Sequence, residues 1–228
     1  MIELDNILGD KIGSIKLIQQ CGNDKMIVNA ARVSFGQDND LPLNADDEKL
    51  IRYLVRHRHT SPFEHNLLTV KVKAPLSIAR QWMRHRIGVS YNEISGRYVE
   101  LKTVEFYTPL NMRGQAKNNR QASVDGTFSQ QKNTVMGYWF KDVYMIALET
   151  YNQLIEEGVA KEQARLVLPQ GMYTEFYFTC NLASLRHFIE LRDHPGAQWE
   201  IQQYAKALRQ IAMGYWPIAI KALEETYE

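Results

Sequence analysis

Apolar positions change period several times along the chain, and each change marks an element. Residues 12–20 alternate apolar and polar, which predicts a strand with Ile15 and Leu17 on one face. Asn23 then stands where a cap is needed for a helix through Met26, Val28, Ala30 and Ala31, ending in a polar turn at Arg32, Val33, Ser34 and Phe35. Residues 36–44, rich in Asp, Asn and Pro, read as a loop, after which Leu50, Ile51, Leu54 and Val55 restore helical spacing. Pro62 bars helix at Ser61 and predicts an extended or turning backbone there. The clearest strand is Leu68, Val70, Val72 and Ala74 alternating with Thr69, Lys71 and Lys73, closed by Pro75. Ile78, Ala79, Trp82 and Met83 then repeat at helical spacing, leaving Gln81, Arg84 and His85 on the polar face. This helix is expected to break near Gly88, with residues 90–97 as a loop.

Further on, residues 99–107 suggest a short strand, and residues 111–133 a long polar loop carrying Arg113, Lys117 and Arg120. Val135, Trp139, Val143, Ile146, Tyr151 and Leu154 support a long helix stopped at Gly158, its aromatic stripe serving as core or subunit interface. Residues 161–168 add a helical turn or two bearing Arg165, and residues 172–180 alternate as another strand. Asn181 can cap the helix whose Leu182, Leu185, Phe188 and Ile189 face inward, with Arg192 at its C-terminal end, where the helix dipole favours a cation. A last helix over residues 197–213 breaks at Pro217 and resumes towards Tyr227. The pattern is mixed α and β without an internal repeat.

Composition narrows the function. A chain of 228 residues, 45% hydrophobic, can bury a real core, and its length favours a single domain. A net charge of +1 gives no global pull towards nucleic acid or an anionic membrane, so an anion site has to come from local clustering. Cys21 and Cys180 lack metal or redox spacing and are expected as reduced thiols. The first residues lack a signal-peptide pattern and no apolar run is long enough for a span, which predicts a cytoplasmic protein with no membrane partner. His57, His59 and His65 do not make a metal site, because no Cys or carboxylate pair completes a ligand set and Arg56 and Arg58 would repel a cation.

Such a local cluster lies at residues 81–98, where Arg84, His85 and Arg86 are followed by Asn92, Glu93, Ser95, Gly96 and Arg97. Forked guanidinium groups beside serine and glycine donors suit phosphate, whereas a merely solvated helix face would leave many donors without an acceptor beside a buried Trp82 face. A non-catalytic nucleotide- or RNA-binding module could use the same cluster. However, the aromatic residues follow core periodicity rather than forming an exposed stacking platform, and no nucleic-acid partner is expected.

Arg84, His85, Arg86 and then Ser90, Tyr91, Asn92, Glu93, Ile94, Ser95, Gly96, Arg97, Tyr98 resemble the defining motif of the flavin-dependent thymidylate synthases. Further stretches agree in order: Ala31 to Phe35, Ser61 to His65, Ala164 and Arg165 with Leu168 and Pro169, and Leu191 and Arg192 with Ala197, Gln198, Trp199 and Glu200. The resemblance implies an α+β single domain, a small mostly antiparallel or mixed sheet packed by several helices. It also implies reductive methylation of dUMP to dTMP, with 5,10-methylenetetrahydrofolate as carbon donor, FAD as hydride carrier and NADPH as reductant. A homotetramer with ligands at subunit interfaces is implied too.

Carried over by position, the resemblance assigns Gln81, Arg84, Glu93, Ser95, Gly96, Arg97, Arg165 and Arg192 to dUMP. Arg97 and Arg165 would hold the phosphate, Gln81 the base or sugar, and Arg192 the charge developing on the uracil. Ser95 takes a binding role, since no partner base for a nucleophile is visible. For FAD it assigns Ser61, Glu64, Arg84, His85, Arg86, Asn181 and His187, with His59 and His85 as candidates for stacking on folate or flavin. A family member that binds flavin but has lost turnover would carry the same residues. Two departures stand out. Eight residues separate Arg86 from Ser95 where the shorter motif has seven, and Leu182 and Ala183 follow Asn181 where Ala-Arg is expected. Arg186, one turn on, is the candidate replacement for that arginine, and FAD binding is otherwise expected to be weaker than usual.

Overall fold

The computed structural model describes residues 2–117, 119 and 121–225, so Arg120 and Tyr227 lie outside the described residues. In chain order the elements are β1 (Glu3–Leu4), β2 (Ser14–Cys21), α1 (Asp24–Arg32), α2 (Ala45–Arg56), α3 (Ser61–Glu64), β3 (Leu67–Pro75), α4 (Leu76–Trp82) and β4 (Val89–Glu93). They continue as β5 (Gly114–Gln115), β6 (Ser123–Val124), α5 (Gln130–Glu156), α6 (Lys161–Ala164), β7 (Tyr173–Asn181), α7 (Leu182–Arg192), α8 (Trp199–Met213) and α9 (Pro217–Glu224). Short 3-10 turns, Val33–Phe35 and Arg165–Val167, follow α1 and α6.

Five strands form one antiparallel sheet in the order β1-β2-β3-β7-β4. Its centre is the pair that alternation predicts: Leu68, Val70, Val72 and Ala74 of β3, with Phe176, Phe178 and Cys180 of β7, turn one face into the core. The opposite face stays polar, where Lys71 pairs with Glu175 and the Thr69 and Thr179 hydroxyls meet at 3.0 Å. α4, α7 and α8 pack on the apolar face around Trp82. The caps read from sequence are present, with Asn23 accepting from the Met26 amide and Asn181 from the Ser184 amide at 2.8 Å.

Several expectations are corrected. Ser61 opens the one-turn helix α3 instead of an extended segment, because a proline in the first helical turn has no amide to lose and its φ is already helical. Residues 90–97 are not all loop, since Val89–Glu93 is the edge strand β4 on β7. α4 ends at Trp82, well before Gly88. The Tyr91 hydroxyl lies 3.0 Å from the Trp82 carbonyl and 2.9 Å from that of His85 and shares its one proton between them, while the Trp82 carbonyl also accepts from the His85 amide at 3.1 Å in a tightened last turn. Residues 99–107 form a single bridge, Phe106 with Met172, while the Leu101 amide turns away to the Tyr151 hydroxyl at 2.9 Å. The long polar loop contains the two-stranded β5–β6 hairpin and gives way to α5 at Gln130. Along α5 only Tyr144 and Tyr151 are buried; Tyr138, Trp139, Val143, Met145 and Ile146 are exposed, so the stripe is not core.

Gly88 and Val89, around which the motif is expected to gain a residue, lie at a defined turn. Gly88 has φ +64°, and a Cβ there would lie 2.4 Å from Ser184 Oγ and 2.7 Å from Asn181 Nδ2. Ser184 Oγ also donates to the Ile87 carbonyl at 2.8 Å, tying the turn to the start of α7. Gly88→Ala is therefore expected to destabilise the fold by about 1–3 kcal/mol through backbone strain and the clash. Urea unfolding measures this, and an unchanged midpoint would contradict the close packing.

Candidate active site

Two groups of polar side chains form, one at each end of β4. The first gathers where α4 and α7 end together. Arg192 Nε donates to His85 Nε2 at 3.0 Å and Nη2 donates to the Gln81 carbonyl at 3.3 Å, leaving three of the five guanidinium N–H donors for a ligand. The His85 ring stands edge-on to His187 at 5.8 Å and packs against Phe188 at 4.7 Å. Arg84 and Arg86 are exposed beside it. The Gln81 side-chain amide donates to Gln198 Oε1.

His85 must be neutral to accept from Arg192. Burial foremost, then the charges of Arg192 and His187, bring its pKa down from 6.5 to about 4. Burial and neighbouring Arg84 likewise lower the pKa of Arg192. Between pH 6.5 and about 4 the unfolded chain binds a proton that folded His85 refuses. Stability is therefore complete above pH 6.5 and declines as the pH falls through that window. The thermal midpoint of the wild type should fall more steeply there than that of His85→Gln, whose amide oxygen still accepts from Arg192 but does not titrate. Equal slopes would contradict a neutral His85.

The second group lies beyond β4. Gly96 is buried against Arg165, whose Cδ lies 3.3 Å from where a Gly96 Cβ would stand. Ser95 Oγ accepts from the Arg97 amide at 3.3 Å. Arg97 meets Glu162 at 3.5 Å in an exposed pair, weak enough for a phosphate to displace. Glu93, at the end of β4, accepts from the Thr174 hydroxyl at 2.6 Å. No hydrogen bond or ion pair among the described residues joins the two groups. Tyr91 is tied to the first, and Ser95 belongs to the second, two residues beyond the end of β4.

Arg84, Arg86, Arg165 and Arg192 have no carboxylate partner among the described residues, which leaves strong cationic donors for anionic ligands. That donor set fits the diphosphate of a dinucleotide near Arg84 and Arg86. Ser61 and Glu64 are exposed on α3, which packs against α7, and His187 is exposed on α7. Asn181 is occupied in capping α7. Arg186 is half-buried and donates to the Val55 carbonyl at 3.3 Å, serving the C-terminal end of α2. His59 lies apart from both groups, stacked with Tyr53 at 6.0 Å. No helix among the described residues is long and apolar enough to cross a membrane, and no three metal-ligating side chains gather among them.

Sequence reasoning assigned no role to Glu200, Gln198 or Arg113, although all three connect to Gln81. One signal was present: Glu200 falls on the face of α8 that carries Ile201, Tyr204 and Leu208, where a carboxylate needs a reason.

Comparison with known proteins places these residues in context. The family model described as thymidylate synthase complementing protein matches residues 16–218. A flavin-dependent thymidylate synthase of Thermus thermophilus is 47% identical over 213 residues, covering 93% of this chain and 76% of that protein. The corresponding protein of Thermotoga neapolitana is 45% identical over 200 residues, covering 87% and 85%. Among solved structures, the UMP/dUMP methylase PolB from Streptomyces cacaoi bound with 5-Br dUMP is similar, with a TM-score of 0.83 and 36% identity over 92% of this chain and 94% of that one. The matched span contains every arginine of both groups, and the chain belongs to the family of flavin-dependent thymidylate synthases.

Proposed function

We propose that this enzyme, acting as one domain over residues 1–228, methylates dUMP reductively to dTMP, with 5,10-methylenetetrahydrofolate as carbon donor and NADPH as reductant. The observation that carries the reading is the set of guanidinium groups without carboxylate partners at both ends of β4. Arg165 and Arg97, with Ser95 and the Gly96 backbone, bind the phosphate. Gln81 and Glu93 orient the base and sugar. Arg192, steered by neutral His85, directs its remaining N–H groups at the uracil, where negative charge develops as the ring is attacked. Bound FAD supplies the hydride. Arg84 and Arg86 hold its diphosphate, with His85, Ser61, Glu64, Asn181 and His187 around it.

That no hydrogen bond or ion pair among the described residues joins the two groups supports sites completed by a neighbouring subunit, with the phosphate-binding end of one chain meeting the Arg192 end of another. The exposed apolar stripe of α5 supplies a surface for that assembly, which we take to be a homotetramer. The structural relative named a UMP/dUMP methylase raises ribose selectivity as a question for the same assay.

The test is a visible spectrum with added FAD, reduced anaerobically by NADPH and followed after addition of dUMP or UMP with methylenetetrahydrofolate. A flavin band that bleaches and returns only with both substrates, with dTMP formed, is the expected result. Flavin retention without nucleotide-dependent reoxidation would point to a binding protein that has lost turnover.

A further inference from the structure

Glu200 is only 2% exposed, yet it carries a carboxylate. Burying an ionised carboxylate is unfavourable unless its lone pairs are filled, and here they are. Oε1 accepts from the Tyr107 hydroxyl at 3.0 Å and pairs with Arg113, while Oε2 accepts from Gln198 Nε2 at 2.9 Å. Arg113, at the start of the β5–β6 hairpin, is itself held over the Trp199 ring at 4.8 Å. The chain then continues outward, because Gln198 Oε1 accepts from Gln81 Nε2.

The direction of this chain is set at its buried end. An ionised carboxylate can only accept, so Gln198 must turn its NH₂ towards Glu200 and its carbonyl towards Gln81. Gln81 must in turn present its NH₂ to Gln198. Its own carbonyl, Oε1, has no hydrogen-bond partner among the described residues. Without the carboxylate, both amides could flip at little cost and Gln81 would offer a donor as readily as an acceptor.

We propose that Glu200 is a positioning residue for the nucleotide: through Gln198 it holds the Gln81 amide in the one orientation that accepts a hydrogen bond from the substrate. The complementary donor is the uracil imide N3–H or a sugar hydroxyl. If it is the imide, the relay contributes to choosing uracil over cytosine, whose N3 is an acceptor. The inference rests on the assignment of dUMP to this site.

The experiment measures nucleotide binding to the FAD-loaded enzyme by calorimetry, for wild type, Glu200→Gln and Gln198→Ala. Glu200→Gln keeps the shape but can donate, so it removes the directionality. Gln198 is exposed, so Gln198→Ala breaks the relay without disturbing the core. The probes are dUMP, dCMP, and 2′,3′-dideoxyuridine monophosphate, which lacks the sugar 3′-donor. Wild type should bind one of the two analogues about tenfold more weakly than dUMP, the scale of a single directed hydrogen bond. In both variants that penalty should shrink to about twofold, with the flavin spectrum unchanged. A dCMP penalty that shrinks identifies the imide as the donor, and a dideoxy penalty that shrinks identifies the hydroxyl. Full discrimination by both variants, or none by wild type, overturns the relay while leaving the dUMP assignment standing. Failure of wild type to bind dUMP overturns both.

Discussion

Arg192→Ala is expected to abolish dTMP formation while the protein remains yellow with FAD. The Arg192 guanidinium is positioned by two contacts, His85 Nε2 at 3.0 Å and the Gln81 carbonyl at 3.3 Å. It is partly desolvated, which strengthens its field on a charge developing nearby. Losing such a preorganised donor reduces turnover by about 10²- to 10³-fold. Arg192→Lys should recover little, since an ammonium lacks the planar fork that can serve His85 and the uracil together. Single-turnover oxidation of reduced flavin in the presence of dUMP and methylenetetrahydrofolate is the measurement. The variant should reduce normally with NADPH and then stall. Turnover within about threefold of wild type would remove Arg192 from the chemistry. The substitution should also raise the pKa of His85, because one of the charges holding it neutral is gone.

Trp82→Ala is expected to lower folding stability by about 3–5 kcal/mol, a large share of the roughly 5–15 kcal/mol that such a domain has. Trp82 is fully buried at the junction of the sheet and two helices, with ring centroids 5.4 Å from Phe176, 5.5 Å from Phe178, 4.7 Å from Phe188 and 5.8 Å from Tyr204. Truncation leaves a cavity that four rings cannot all collapse into. One effect works the other way, because the buried indole N–H has no partner among the described residues and removing it relieves about 1 kcal/mol. Trp82→Phe separates the two contributions by keeping a ring and deleting the orphan donor, and it should be tolerated far better. Urea unfolding of both variants decides the matter, and a loss below about 1 kcal/mol for Trp82→Ala would contradict the packing account. Function should follow stability: Trp82 is the last residue of α4 and its carbonyl meets the Tyr91 hydroxyl, so the same cavity loosens the segment bearing Arg84 and His85.

Elements that bury one face against a continuous neighbour were legible in the chain itself. β2, β3 and β7 alternate, α2, α7 and α8 repeat at helical spacing, and Asn23 and Asn181 cap where an amide needs an acceptor, since each signal depends on residues a few positions apart. The ordered motif from Arg84 to Tyr98 was likewise a property of the chain alone, and with it the family. What depended on distant partners was not legible. β4 alternates, with Val89 and Tyr91 against the core and Ser90 and Asn92 exposed, but over five residues that is too short a run to stand out from the polar cluster around it, and the strand forms because β7, far along the chain, offers its free side. α4 stops at Trp82, where the His85 amide and the Tyr91 hydroxyl both donate to its carbonyl, and Gly88 is required by Ser184 and Asn181 across the turn. The apolar positions of α5 repeat like a core helix, but only the folded chain left most of them outside. Period reports that a face is apolar and not what covers it. Glu200 makes the same point for chemistry: the sequence set a carboxylate on a buried face, while its meaning came from Tyr107, Arg113 and Gln198, which only tertiary contact brings to its two oxygens.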